Sequence, residues 1–194
     1  EWCLKHDLEP IIIDNKSDYQ PLRDWYDKKP CEVLLMDKNY GHKVLWEQWL
    51  FRRLGISGEY LLTDPDLDLS GVPDDFLSVM QEGLRRYPKF ERIGLSIEID
   101  DLPDNSLGRQ VYKHELRFWA KPLDALYYEA EVDTTFALHK ITNYNTYNSL
   151  RVNKPYTVRH LPWYYTDFDS LSDDEKNYFK TANTSFSWKD KIIS

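Results

Sequence analysis

With 194 residues, 41% of them hydrophobic and 15% aromatic, the chain carries core-forming material for one ordinary globular domain spanning 1–194. A formal net charge of −8 excludes the basic footprint that a long phosphate backbone needs, so no nucleic-acid partner is expected; a small phosphate ligand bridged by a divalent cation remains open. Two cysteines, Cys3 and Cys31, offer at most one disulfide and no metal-ligand spacing, and two free thiols in a reducing compartment is the simpler reading.

The chain opens "EWCLKHDLEPIIIDN", which reads as the last turns of a helix followed by a strand. An α/β domain rarely begins there, so an N-terminal strand and most of a helix are expected to be missing. Residues 10–14 form a continuous apolar run ending in Asp14-Asn15, the pattern of a strand buried on both faces. A short helix is expected over 19–28, with Leu22, Trp25 and Tyr26 on one side, and a second strand over 31–37. Residues 42–54 place Val44, Leu45, Trp46, Trp49, Leu50 and Leu54 at helical spacing. A third strand is expected over 59–64. A helix from 73, ending before Pro88, then has Pro73 near its start and acids in its first turn. A fourth strand is expected over 92–100. The second half is less regular: a helix over 106–119, one or two strands around a turn over 125–140, and a short strand over 155–165 running into an aromatic loop. The last helix, over 172–182, has Ser172 and Glu175 spaced as a capping box. No apolar run approaches the ~18 residues of a membrane span.

The strand–helix alternation of the first half points to a parallel sheet flanked by helices, in which ligands gather at the carboxyl ends of the strands. Those ends are Asp14-Asn15, Asp37-Lys38-Asn39 and Asp64-Pro65-Asp66, all polar and rich in acid. Pro65 fixes its own φ and biases Asp64 toward extended backbone, so the two carboxylates are presented from a stiff turn. Hard divalent cations take such oxygens, one or two carboxylates at a time, together with substrate phosphates. The same tripeptide reads equally as a solvated turn before a helix, with Asp74 and Asp75 serving the helix N-terminus.

Taken in order, "IIIDNKS", "NYGH", "YLLTDPDLDLSGVPDDF", "GLSIEIDDLP", "VDTTFAL" and "RHLPWYY" resemble a GT-A-type glycosyltransferase, more narrowly the family-2-like bacterial enzymes of surface polysaccharide synthesis. The resemblance runs from Pro10 to about Trp188. It implies a Rossmann-like mixed sheet flanked by helices, with the first strand missing here. It also implies a metal-dependent, inverting transfer of a sugar from a nucleotide-diphosphate donor, a UDP-sugar first, to a saccharide acceptor. On this pattern Asp64 and Asp66 hold Mn²⁺ or Mg²⁺ and the donor diphosphate, with His160 as a further metal ligand. Asp14 and Asn15 hold the nucleoside, Asn39, Gly41 and His42 lie beside the nucleotide, and Asp133 is the catalytic base. A cytoplasmic location, at the inner face of the membrane, is implied as well.

Bland roles stand beside each of these. Asp133 can cap a turn, His160 can be a hydrogen-bonded core histidine, and His42 can be a helix N-terminal residue. Arg151 and Arg159 can clamp phosphate or pair with surface acids. Phe118-Trp119 and Trp163–Tyr165 can stack on a sugar or fill the core. Two rival functions remain open: a metal-dependent sugar nucleotidyltransferase, and a non-catalytic saccharide- or partner-binding domain on the same fold.

Overall fold

The computed structural model describes residues 1–29, 31–140, 148–169 and 171–181. Ala182, the last residue of the final expected helix, and Trp188, where the resemblance ends, lie outside them. The chain is mixed α/β and its contacts cluster in two compact units, the first over Glu1–Tyr60 and the second from Leu61 onward.

In the first unit, helix α1 (Trp2–Lys5) precedes strand β1 (Ile11–Asp14), which pairs in parallel with β2 (Glu32–Leu35) in the register Ile12↔Val33. Helix α2 (Gln20–Tyr26) connects them, with Pro21 in its first turn, where the missing N–H costs nothing. The expectation that β1 is buried on both faces does not hold. Only Asp14 of β1 and Leu34 of β2 are buried, while Leu35 is 55% exposed. Each strand of a two-stranded sheet has one neighbour, so its side chains stay partly open.

The helix expected over 42–54 is two short helices, α3 (Val44–Glu47) and α4 (Leu50–Arg53). Trp49 between them adopts a left-handed conformation with φ +53°. For a bulky L-residue that costs about 1–2 kcal/mol. The break turns Leu50 into the core, where it is 2% exposed, and leaves the Trp49 ring in solvent at 55%. Helical spacing alone would have put both on the same face.

In the second unit, six strands form one mixed sheet. Strand β3 (Tyr60–Leu62) is at one edge. The short β4 (Leu67–Asp68) is at the other, and between them run β7 (Ala137–His139), β5 (Arg92–Ile97) and β8 (Ser149–His160), with β6 (Tyr127–Glu129) also on β8. Every residue of β5 is buried, as a central strand requires. Strand β5 runs parallel to β8 and antiparallel to β7, and β4 and β6 both run antiparallel to β8. The sheet is therefore mixed, whereas the alternation in the first half of the chain pointed to a parallel one.

Helix α5 (Phe76–Arg86) lays Phe76, Met80, Gly83 and Leu84 against β5, β7 and β8. Gly83 lets the helix close on the sheet, because a Cβ there would sit 2.5 Å from Ile93 Cδ1 and 2.7 Å from the Tyr127 ring. Helix α6 (Ser106–Glu115) starts at Asn105, whose side chain accepts the Gly108 N–H at 2.8 Å, and continues as a 3₁₀ turn over Leu116–Trp119. Helix α7 (Asp173–Thr181) carries the expected capping box: the Ser172 hydroxyl accepts the Glu175 N–H at 3.2 Å, and Glu175 accepts the Ser172 N–H at 2.9 Å.

Candidate functional site

The Asp64-Pro65-Asp66 turn lies between β3 and β4, and β4 determines where it goes. Two ladder pairs, Leu67↔His160 and Asp68↔Arg159, tie β4 to the end of β8. The Leu161 N–H then donates to the Asp66 carbonyl at 2.9 Å. Asp66 Oδ2 is thereby brought to 3.5 Å from His160 Nε2. Burial lowers the His160 pKa, outweighing the opposite pull of Asp66 and Glu115, so near neutral pH the imidazole is uncharged and this contact is not an ion pair. The ring lies on Trp163, centroids 4.6 Å apart. Asp66 Oδ1 and His160 Nδ1 are buried and make no hydrogen bond among the described residues.

Asp64 is the most perturbed acid of the turn. Burial pushes its carboxyl up to about 6, and the negative charges of Asp66 and Asp133 add to that. A hydrogen bond from Thr134 works against them. That bond runs from Thr134 Oγ1 to Asp64 Oδ2 at 3.1 Å. The second unit therefore collects Asp64, Asp66, Asp133 and His160, four of the residues singled out in the sequence, around one turn.

Asp133 itself is exposed, on a segment that belongs to neither β6 nor β7. Strand β8 holds this segment with side chains. Ser149 donates to the Ala130 carbonyl at 2.7 Å and accepts the Val132 N–H at 3.0 Å. Arg151 Nε donates to the Glu131 carbonyl at 2.9 Å. The Arg151 guanidinium also pairs with Glu115 at 2.9 Å, both groups almost fully buried, and lies 4.2 Å from the centroid of the Phe118 ring. Arg151 therefore pairs with an acid, but a buried one and not the surface acid expected. Arg159 does pair with a surface acid, Asp101, at 2.6 Å, and the Tyr164 hydroxyl donates to that carboxylate at 2.7 Å. Trp163 is core, 4% exposed.

Thr134, Ser149 and Glu115 escaped the sequence reading. Thr134 sits beside Asp133 in "VDTT", with nothing in its type to distinguish it. Glu115 did leave a signal. It follows Leu107, Gly108 and Val111 at i+4 on the buried stripe of α6, and an acid on such a stripe requires a buried cation.

The remaining predicted residues gather in the first unit. Asp14 is 4% exposed and accepts the Ser17 N–H at 2.7 Å. Asn15 spends both ends of its amide on the neighbouring loop, donating to the Gly41 carbonyl at 3.1 Å and accepting the Tyr40 N–H at 3.2 Å. Asn39 accepts the Gly41 N–H at 2.8 Å, and Gly41 has φ +78°, which favours glycine. Asn15 and Asn39 are thus committed to shaping this loop. An open cleft of about 550 Å³ in this unit, bounded by α2 and β2, is lined by none of these four residues.

Among the described residues, no three His, Cys, Asp or Glu side chains come together as a ready-made metal cage, and no helix is long and apolar enough to cross a membrane. No protein-family model, no curated protein and no solved structure matches the chain.

Proposed function

We propose that the chain is a GT-A-type glycosyltransferase domain, moving a sugar from a nucleoside-diphosphate donor, a UDP-sugar first, to a saccharide acceptor. The observation that carries this reading is the convergence on one turn of Asp64, Asp66, Thr134 and His160, brought together by the β4–β8 pairing and the Thr134 hydrogen bond. The reading rests on the second unit alone.

The donor set suits a cation that keeps waters or phosphate oxygens in its shell. Mg²⁺ and Mn²⁺ at phosphate sites use one or two carboxylates and leave the other positions to the substrate. Asp64 and Asp66 supply the carboxylates, and Asp66 Oδ1 and His160 Nδ1 are buried polar atoms without a hydrogen-bond partner among the described residues. Among the described residues no third acid groups tightly with the two carboxylates, so a bound cation would draw its remaining ligands from water and the substrate. When bound, Mn²⁺ or Mg²⁺ would supply positive charge to the diphosphate leaving group.

The chain's own part in the transfer falls to Asp133, whose exposed carboxylate can reach an incoming acceptor. As the acceptor oxygen bonds to the anomeric carbon, Asp133 takes the hydroxyl proton. The bond from that carbon to the diphosphate breaks, and the electron pair leaves with the phosphate oxygen. One base facing the leaving group is what an inverting displacement needs. With Arg151 and Arg159 both committed to acids, the Asp64-Pro65-Asp66 turn is left to attract the counter-charge of a diphosphate through a cation.

Calorimetric titration of UDP in Mn²⁺, repeated in EDTA and with Asp66→Ala, tests the proposal. Binding that needs the metal and is lost with Asp66 is the expected result. Equal binding with and without metal would refute it in favour of a metal-independent binding domain.

A further inference from the structure

Among the described residues the segment between β6 and β7 belongs to no named strand, yet four backbone groups of its first three residues are satisfied. The Ala130 N–H donates to the Ser149 carbonyl at 3.3 Å, and the Ala130 carbonyl accepts the Ser149 hydroxyl. The Glu131 carbonyl takes Arg151 Nε, and the Val132 N–H goes to Ser149 Oγ. Val132 is fully buried and packs on Gly94 of β5, where an added Cβ would meet its methyl carbons at 2.9 Å. Two alternate side chains of β8, at 149 and 151, thus fasten a strap that the sheet backbone holds only near its ends, through Ala130–Ser149 and Phe136–Leu95.

Arg151 is held in turn. Its guanidinium is clamped between Glu115 of α6 and the Phe118 ring. A guanidinium–carboxylate pair this deep gives little net stability, because desolvation offsets its attraction. Its planar fork does give direction, since one edge faces Glu115 while Nε faces the strap.

The strap ends on Thr134, 8% exposed, whose hydroxyl donates to Asp64 Oδ2. Threonine is β-branched, so burial of its methyl leaves the hydroxyl few directions to point. Asp64 needs such a constraint. It is crowded by Asp66 and Asp133, and repulsion would turn an untethered carboxylate away from both.

We propose that Thr134 is a positioning residue for cation capture: its hydroxyl, held in place by the strap that Ser149 and Arg151 fasten, orients the Asp64 carboxylate beside Asp66. The inference rests on the metal-binding reading above and names a residue that acts on the cation only through Asp64. Hydrogen-bond partners of this kind tune metal affinity by about 10–100-fold when removed.

The test is Mn²⁺ titration of the whole chain, followed by free-ion electron paramagnetic resonance and water-proton relaxation, with no nucleotide present. Thr134→Val is expected to weaken Mn²⁺ binding about tenfold or more. Thr134→Ser, which restores the hydroxyl, should stay within about threefold of the unaltered protein, well short of that loss. Thermal unfolding in EDTA checks that each variant is folded, and Thr134→Ala reads the same loss should the valine not fold. Asp66→Ala separates the two ways of failing. If it loses Mn²⁺ while Thr134→Val keeps it, this inference is overturned and the metal site stands. If Thr134→Ser loses as much as Thr134→Val, the hydroxyl is not the cause and the inference is again overturned. If Asp66→Ala binds as well as the unaltered protein, or the unaltered protein binds no Mn²⁺, the site and the inference fall together.

Discussion

Replacing Asp64 by Asn should make the metal-free protein more stable at neutral pH. The Asp64 carboxyl is raised from its usual 3.8 to about 6, chiefly by burial and then by Asp66 and Asp133, with the Thr134 bond opposing. An acid whose pKa is higher folded than unfolded binds more protons in the folded state between the two values. Stability therefore falls as pH rises from about 4 to about 6 and stays low above that. A shift of about 2 units corresponds to a ceiling of about 3 kcal/mol, which water at the partly open carboxylate reduces to about 1–2. Asparagine removes the charge and keeps an oxygen to accept from Thr134. In EDTA at pH 7.5, Asp64→Asn should thus gain about 1–2 kcal/mol, at about 2–4 °C of melting temperature per kcal/mol for a chain of this size. At pH 4 the two proteins should unfold together. Buried His139, whose pKa is pushed down to about 3 by desolvation and then by Arg92, has the opposite slope. Its contribution is present above pH 6.5 and is lost as pH falls toward 3. That slope is common to both proteins and cancels in the difference between their melting curves from pH 4 to 7.5. A flat difference, or an asparagine variant less stable at pH 7.5, would refute the electrostatic account of the turn.

Two further predictions concern the frame behind the site. Arg151→Ala strands the buried Glu115 carboxylate and should cost about 3–5 kcal/mol in urea unfolding, whereas Arg151→Met together with Glu115→Leu should recover most of that. Additive losses in the double variant would count against a coupled pair. Gly83→Ala should destabilise by about 1–2 kcal/mol, because overpacking of about 1–3 outweighs a helix-propensity gain of up to about 1. The Tyr127 ring cannot retreat from the new methyl: it is fully buried and its hydroxyl is tied to the Val79 carbonyl at 2.8 Å. A rise in the unfolding midpoint would show that the ring does yield.

Elements whose identity is written in local pattern were legible in the sequence. Strand β5 was legible as a strand and the Ser172/Glu175 box marks the start of α7, whereas α5 begins at Phe76, so the expected Pro73, Asp74 and Asp75 precede it and no acid lies in its first turn. Elements made by distant pairing were not. Strand β4 is two residues long and exists because His160 and Arg159 lie opposite it. The first residues of β8, from Ser149, carry a polar and a charged side chain into the core, so no apolar run announces them. Trp49 breaks a helix that its spacing supports, because burying Leu50 outweighs the strain at one residue.

The same distinction separates what was visible of the site from what was not. The acids of the turn stand out by type and by their place after a strand, the resemblance adds Asp133 and His160, and the structure brings the four around one turn. What the sequence hides is the apparatus that aims them. Ser149 and Arg151 point at the strap because β8 alternates its side chains, and the strap reaches Asp64 because the chain leaves β8 after the Ala130–Ser149 bond. Glu115 alone left a trace, since an ionised acid on an apolar stripe is untenable without a buried cation. Seven arginines, Arg85, Arg86, Arg92, Arg109, Arg117, Arg151 and Arg159, occur in the second unit within fifty residues of it. Only folding selects Arg151, by placing its guanidinium at 2.9 Å from the Glu115 carboxylate. An acid of this kind in a sequence announces that a partner exists, and the register of a distant strand decides which partner it is.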